Sequence, residues 1–94
     1  MSIAEFDHDD DGYARWTVTN PNGFVINILR SLNPGTARLH HAYCSTITGE
    51  PARGATWTEG AYIKVCSTSL AELEDWALGH VGVAIQRCGL PDDW

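Results

Sequence analysis

The fold of this 94-residue chain is decided by one short segment, Gly23-Phe24-Val25-Ile26-Asn27-Ile28-Leu29-Arg30. Its side chains are β-branched, aromatic or aliphatic at both alternating sets of positions, a composition that is typical of a strand. Because successive side chains of a strand point to opposite faces, this pattern predicts a central strand that is covered on both sides. The one polar residue, Asn27, must find a hydrogen-bond partner if it is buried there.

Further strands are predicted on the C-terminal side of this segment, at residues 38–44, 61–66 and 83–88. A turn at residues 31–36 separates the first two strands, because Pro34 fixes φ and Gly35 offers conformational freedom. We therefore expect the strand at 38–44 to return as the antiparallel partner of the central strand. An extended loop is predicted at 47–60.

Two helices are predicted, one on each side of this set of strands. The first begins in the acidic run at residues 9–11, because acidic side chains favour the first helical turn, and it ends before Pro21. Its apolar stripe is expected to contain Tyr13, Trp16 and Val18. The second begins at a capping box, in which the side chains of Ser69 and Glu72 each accept from the other residue's backbone N–H. It is expected to end at Gly79 and to bury one face, made of Leu70, Leu73, Trp76 and Ala77.

The resulting order, α-β-β-β-α-β, predicts an α+β fold in which a mostly antiparallel sheet of three to four strands is packed by two helices. With 44% apolar and 19% charged residues, the chain is expected to form a single domain over residues 1–94, with frayed acidic ends at 1–8 and 90–94. The chain has no apolar run of the ~20 residues that a membrane helix needs, and its start does not resemble a secretory signal. Three cysteines without framework spacing favour a reducing compartment, so a cytoplasmic location is predicted.

The net charge of −6 is concentrated at the ends of the chain. Five of the twelve acidic residues lie in the first eleven positions and two lie at 92–93, whereas residues 12–91 hold five acids and all six bases. The body of the domain is therefore close to neutral, and net charge alone does not identify a partner.

A basic surface is predicted at the hairpin, because Arg30 and Arg38 flank its turn and come close together in space. Basic and aromatic residues that can join them would contact phosphates and stack on bases; the complete candidate set is Arg30, Arg38, Tyr43, Arg53, Trp57 and Lys64. The alternative interpretation is that arginines at strand ends are ordinary solvated residues. The first hypothesis is thus a small non-catalytic binding module whose partner is a nucleic acid or a protein, with the oligomeric state left open.

Two alternatives involve the thiol and imidazole groups. A structural zinc protein would use the four candidate ligands His40, Cys44, Cys66 and Cys88. Spacing opposes this, since strand positions four apart stand ~13 Å apart, and free cysteines are commonly buried as small apolar residues. A cysteine-dependent enzyme would need Cys44 to be activated by a nearby histidine.

A partial calcium motif occurs near the N-terminus, in Asp7-His8-Asp9-Asp10-Asp11-Gly12. Carboxylates stand at loop positions 1, 3 and 5, and glycine stands at position 6. Position 12, which should supply a bidentate glutamate, is Val18, so the segment is better interpreted as an acidic helix start and no cofactor is expected there.

Three separated segments carry a resemblance to a family: Trp16 with residues 20–27 (NPNGFVIN), residues 39–47 (LHHAYCSTI), and Trp57-Thr58 with residues 62–66 (YIKVC), which Leu73 and Trp76 follow. They resemble small uncharacterised bacterial proteins with the pattern L-H-R-A-x-C-x-T-I, then W-T, then Y-I-K-V-C. His41 replaces the arginine of that pattern, and Pro91 stands where members that end in C-G-x-C have their second cysteine. The resemblance implies a bacterial cytosolic protein and fits an accessory to nucleic-acid or defence machinery, but it implies no specific activity.

Overall fold

The computed structural model describes residues 3–33, 35, 37–43, 58 and 60–87. In chain order its elements are β1 (Ala4–Phe6), α1 (Asp10–Thr19), β2 (Phe24–Leu29), β3 (Arg38–His41), β4 (Tyr62–Ser67) and α2 (Leu70–His80). The strands form one sheet in the order β1-β4-β2-β3, and each neighbouring pair is antiparallel. The predicted α+β class, with an antiparallel sheet packed by two helices, is confirmed.

Strand β2 lies at the centre of the sheet, as its apolar pattern predicts. It pairs with β3 on one side and with β4 on the other, so that Val25 lies opposite both His40 and Cys66. Its side chains enter two separate cores on opposite faces of the sheet. Val25 joins the core beneath α1, whereas Ile26 and Ile28 join the core beneath α2. Both cores exclude water from β2, which explains why neither of its faces is polar.

Helix α1 begins at an acidic N-cap and packs on the sheet through a partly different set of residues from the predicted one. The Asp9 carboxylate accepts from the N–H of Gly12 at 2.9 Å, which satisfies one of the unpaired donors of the first turn. Tyr13 is fully buried and Trp16 is partly buried, as expected. Val18 was expected on the apolar stripe but is 81% exposed, so that prediction is wrong; Thr17 occupies the inner face instead.

Helix α2 begins at the predicted N-cap, although only half of the capping box forms. Ser69 Oγ accepts from the N–H of Glu72 at 3.3 Å. The return bond goes to a third residue, because Ser67 Oγ accepts from the N–H of Ser69 and donates to Glu72 Oε1 at 2.9 Å. The helix continues through Gly79 to His80, one residue beyond its predicted end.

The N-terminal segment, expected to be frayed, instead supplies the edge strand β1. Ala4, Glu5 and Phe6 pair with residues 64–66 of β4, and the Phe6 ring lies 6.0 Å from the ring of Tyr13. The expectation was wrong because these three residues obtain their backbone partners from a strand about sixty positions away.

The predicted strand at 83–88 is reduced to one isolated bridge. Arg87 pairs with Leu39 in parallel orientation, and the N–H of Leu39 donates to the carbonyl of Gln86 at 2.8 Å. The strand predicted at 38–44 ends at His41, where a turn begins. Cys88, the end at 90–94 and most of the predicted loop lie outside the described residues. No helix in the described part of the chain has the length and apolar character required to cross a membrane.

Candidate functional site

Arg30, the first residue of the predicted basic surface, joins three segments of the fold. Its guanidinium is in contact with the carboxylate of Asp7. It also donates to the carbonyl of Thr58 at 3.1 Å and to the carbonyl of Gly60 at 2.6 Å. Its backbone N–H also donates to the carbonyl of Ala61 at 2.8 Å. These contacts fasten the end of β2 to the segments beside β1 and β4, so the guanidinium is already engaged within the protein.

Lys64 faces the α1 side of the sheet and is only 3% exposed. Its ammonium donates to Asn27 Oδ1 at 2.7 Å and lies 5.8 Å from the centre of the Tyr13 ring. Burial lowers the pKa of Lys64 from 10.5 to about 8, against opposing effects of Cys66 and Asp10. Asn27 thus has the hydrogen-bond partner that its burial requires, and Lys64 is part of the interior of the fold.

His40 and Arg38 lie on the same face of the sheet as Lys64. Register places Arg38 and Lys64 on either side of Asn27, and His40 in the neighbouring row beside Val25. His40 is 5% exposed, and burial lowers its pKa from 6.5 to about 4, with a further contribution from the charges of Lys64 and Arg38. The Arg38 guanidinium donates to the carbonyl of Ala37 at 2.6 Å.

Tyr43 lies at the opposite end of the hairpin from the two arginines. Residue 41 pairs with residue 24, whereas Arg38 pairs with Asn27, near the end of β2 that continues into Arg30. The Tyr43 ring is 49% exposed and stacks on the His41 ring with centroids 4.7 Å apart and an interplanar angle of 11°. The described candidates therefore do not form one basic and aromatic surface; Arg53 and Trp57 lie outside the described residues.

Two of the four candidate zinc ligands, His40 and Cys66, lie in the described part of the chain. They flank Val25 on neighbouring strands, so their Cα atoms are separated by two strand spacings, about 9.6 Å. Within the described residues, no group of three or more histidine, cysteine or acidic side chains is arranged to hold a metal ion. Burial raises the pKa of the Cys66 thiol, which keeps it protonated. Cys44 and Cys88 lie outside the described residues, so both the zinc site and the nucleophilic cysteine stay predictions.

The acidic run at residues 7–12 is used to connect α1 to the rest of the fold. Asp9 caps the helix, and Asp7 contacts Arg30. Asp10 Oδ1 accepts from the backbone N–H of Thr58 at 2.7 Å and from its hydroxyl at 2.6 Å. Each of these three carboxylates has a protein partner, which agrees with the interpretation of the run as a helix start.

A groove that sequence reasoning did not identify lies between α2 and the residue that precedes β1. It has a volume of about 440 Å³ and is lined by Ile3, Glu72, Asp75, Trp76 and His80. Glu72, Trp76 and His80 follow each other at intervals of four and Asp75 lies three positions after Glu72, which places all four residues along one side of α2. Most of the lining surface is apolar, and its acidic groups are the carboxylates of Glu72 and Asp75.

Two stacked rings form part of the wall of this groove. The Trp76 indole and the His80 imidazole have centroids 5.0 Å apart and an interplanar angle of 17°. His80 Nδ1 lies 3.1 Å from the carbonyl oxygen of Trp76, which holds the imidazole in this orientation. At the other ring, the indole N–H donates to Glu5 Oε2 of β1 at 3.3 Å. The indole itself is 7% exposed, so the stack has a buried end and an exposed end.

The two carboxylates differ in how strongly the protein engages them. Glu72 Oε1 accepts from Ser67 Oγ, and Glu72 is half-buried. Asp75 is exposed and forms no ion pair within the described residues. A carboxylate attracts a cation by its charge, and an aromatic ring beside it attracts the same cation by its quadrupole. The groove is therefore suited to a cationic group attached to an apolar stem.

The signal for this groove is present in the sequence only in part. Glu72, Trp76 and His80 follow each other at intervals of four, so their common side of α2 is predictable. Ile3 and Glu5 come from a segment that was expected to be frayed, and without them no second wall is predicted.

Comparison with protein families, with curated proteins and with solved structures finds no match for this chain.

Proposed function

We propose that this domain is a non-catalytic binding module, and that it docks a cationic segment of a protein partner in the groove beside α2. The observation that carries the proposal is the combination of the stacked Trp76 and His80 rings with the carboxylates of Glu72 and Asp75. An apolar side-chain stem fits the apolar wall, and its charged end lies near the carboxylates.

The engagement of three of the six basic residues supports a protein partner over nucleic acid. Arg30 contacts Asp7, Lys64 is buried against Asn27, and Arg87 lies 3.6 Å from Glu74. Affinity for nucleic acid depends mainly on cations that neutralise phosphates, and these three cations are already used within the protein.

The proposal is tested with a fluorescent peptide of alternating glycine and basic residues, titrated at low ionic strength and followed by anisotropy. Asp75→Asn removes one charge from the groove, and Glu74→Gln is the matched control because Glu74 is exposed but does not line the groove. We expect Asp75→Asn to raise Kd about two- to five-fold and Glu74→Gln to change it by less than about 1.5-fold. Absence of binding, or equal effects of the two substitutions, would contradict the proposal.

A second candidate function, the binding of a base of single-stranded nucleic acid, is favoured by the stack of Tyr43 on His41. Tyr43 is half-exposed and its neighbour holds it flat, as in a stacking platform. The expected signature is binding to single-stranded but not duplex DNA, lost in Tyr43→Ala and retained in Tyr62→Ala. Undetectable affinity for single strands at low salt would eliminate this candidate.

A further inference from the structure

We infer that the groove beside α2 selects arginine over lysine, because a planar guanidinium can extend the stack of Trp76 and His80. This inference rests on the proposed function and adds to it the identity of the side chain that is recognised.

The stack presents only one of its two rings to an incoming group. Trp76 is 7% exposed and Glu5 accepts from its N–H, so the indole is the inner ring. His80 is exposed, and its Nδ1 lies 3.1 Å from the carbonyl oxygen of Trp76. The imidazole is thus held nearly parallel to the indole, at 17°, so one of its faces lies against the indole and the other, outer face is the one that a further ring or plane can contact. A ligand that continues the stack must be flat and must lie on the outer face of His80.

The carboxylates favour a guanidinium for a separate reason. A guanidinium offers paired donors in one plane and can bind a carboxylate with two parallel hydrogen bonds while its face stacks on a ring. An ammonium is compact and strongly hydrated, and it has no flat face to place on His80. Asp75 is the exposed acid of the groove, and it lies on the same side of α2 as the stack.

The dimensions and the ligand chemistry agree with this assignment. A volume of about 440 Å³ lies within the range of about 300–1,000 Å³ that is usual for ligand pockets, and it leaves room for one long side chain with adjoining backbone. Glu72, Asp75 and His80 are not arranged as a metal-binding group within the described part of the chain. An organic cation with an apolar stem is therefore the occupant that fits both the wall and the edge of the groove.

The test compares two labelled peptides that are identical except that every basic residue is arginine in one and lysine in the other. Both carry the same charge, so long-range attraction is equal and the ratio of their Kd values reports the side chain alone. At low ionic strength, we expect the arginine peptide to bind about three- to ten-fold more tightly. The preference should fall to about one in His80→Ala and should persist in His80→Phe, which keeps a ring for stacking.

Each outcome separates the inference from the proposed function. Equal affinity for both peptides, weakened by Asp75→Asn but not by Glu74→Gln, would overturn the arginine preference and leave the docking proposal intact. A preference that survives in His80→Ala would also overturn the inference, since stacking on the imidazole would not be its origin. Failure of both peptides to bind the unmodified protein would overturn the docking proposal together with the inference.

Discussion

The buried ammonium of Lys64 should make the protein more stable as the pH rises from 8 to 10.5, and Lys64→Met should abolish that increase. Burial lowers the pKa of Lys64 from 10.5 to about 8. Between these values the unfolded chain binds a proton at this position that the folded chain does not bind. The free energy of unfolding therefore increases with pH across this window and is constant on either side of it.

The magnitude follows from the size of the shift. A fall of the pKa from 10.5 to about 8 corresponds to about 3 kcal/mol as an upper limit. Lys64 is 3% exposed, so little of this effect is lost to solvent. At pH 7 the substitution removes the cost of the buried charge but leaves Asn27 Oδ1 without its donor, which costs about 1–3 kcal/mol. These two effects oppose each other, so the slope with pH is the diagnostic quantity.

The assay is urea unfolding followed by tryptophan fluorescence, at several pH values from 7 to 10.5, for the unmodified protein and for Lys64→Met. Burial raises the pKa of Cys66, so its thiol destabilises the fold as pH rises, but it does so in both proteins. The difference between the two unfolding free energies should increase by about 3 kcal/mol between pH 8 and 10.5. Repeating both measurements with Cys66→Ala removes the effect of the thiol. A difference that stays constant with pH would refute the assignment of a buried, destabilised charge to Lys64.

Two further predictions concern His40 and two glycines. Burial lowers the pKa of His40 from 6.5 to about 4, so the free energy of unfolding should fall by up to about 3 kcal/mol as the pH falls from 6.5 to 4. In His40→Gln this fall should be smaller, when both proteins are measured by urea unfolding. A Cβ on Gly23 would lie 2.6 Å from Trp16 Cη2, so Gly23→Ala should cost about 1–3 kcal/mol. Gly79 lies in α2 with open space around it, so Gly79→Ala should stabilise the protein by about 0.5–1 kcal/mol; equal melting temperatures for the two variants would contradict this reasoning.

The parts of the fold that sequence reasoning identified are those specified by local pattern. The central strand at 24–29 is recognisable because both of its faces are apolar, and the start of α2 because a capping residue precedes an apolar stripe. The three-residue strand β1 has no such pattern among its acidic neighbours, and it exists through pairing with β4. The isolated bridge at Arg87 likewise depends on the position of β3, which no local window contains.

The same distinction applies to the candidate site. Sequence reasoning placed Arg30 at the end of a hairpin, but its partners come from residues 7, 58 and 60, which are distant in the chain. Lys64 looked like a residue at the edge of a basic surface, and pairing with the central strand placed it against Asn27 instead. Contacts between residues distant in the chain thus decide which charged side chains remain available to a partner. A count of charges in the sequence does not show which side chains are engaged in this way.

This difference makes the net charge more informative after folding than before it. In the sequence, the six bases and five acids of residues 12–91 nearly cancel, so no partner is favoured. In the structure, Arg30 pairs with Asp7 and Arg87 lies beside Glu74, while Lys64 is buried. Asp75 is not among the acids that these cations neutralise, and it lines the groove together with His80. The carboxylates of Glu72 and Asp75 therefore present negative charge at the groove whatever the total, and this local charge is the basis on which we propose a cationic side chain as the ligand.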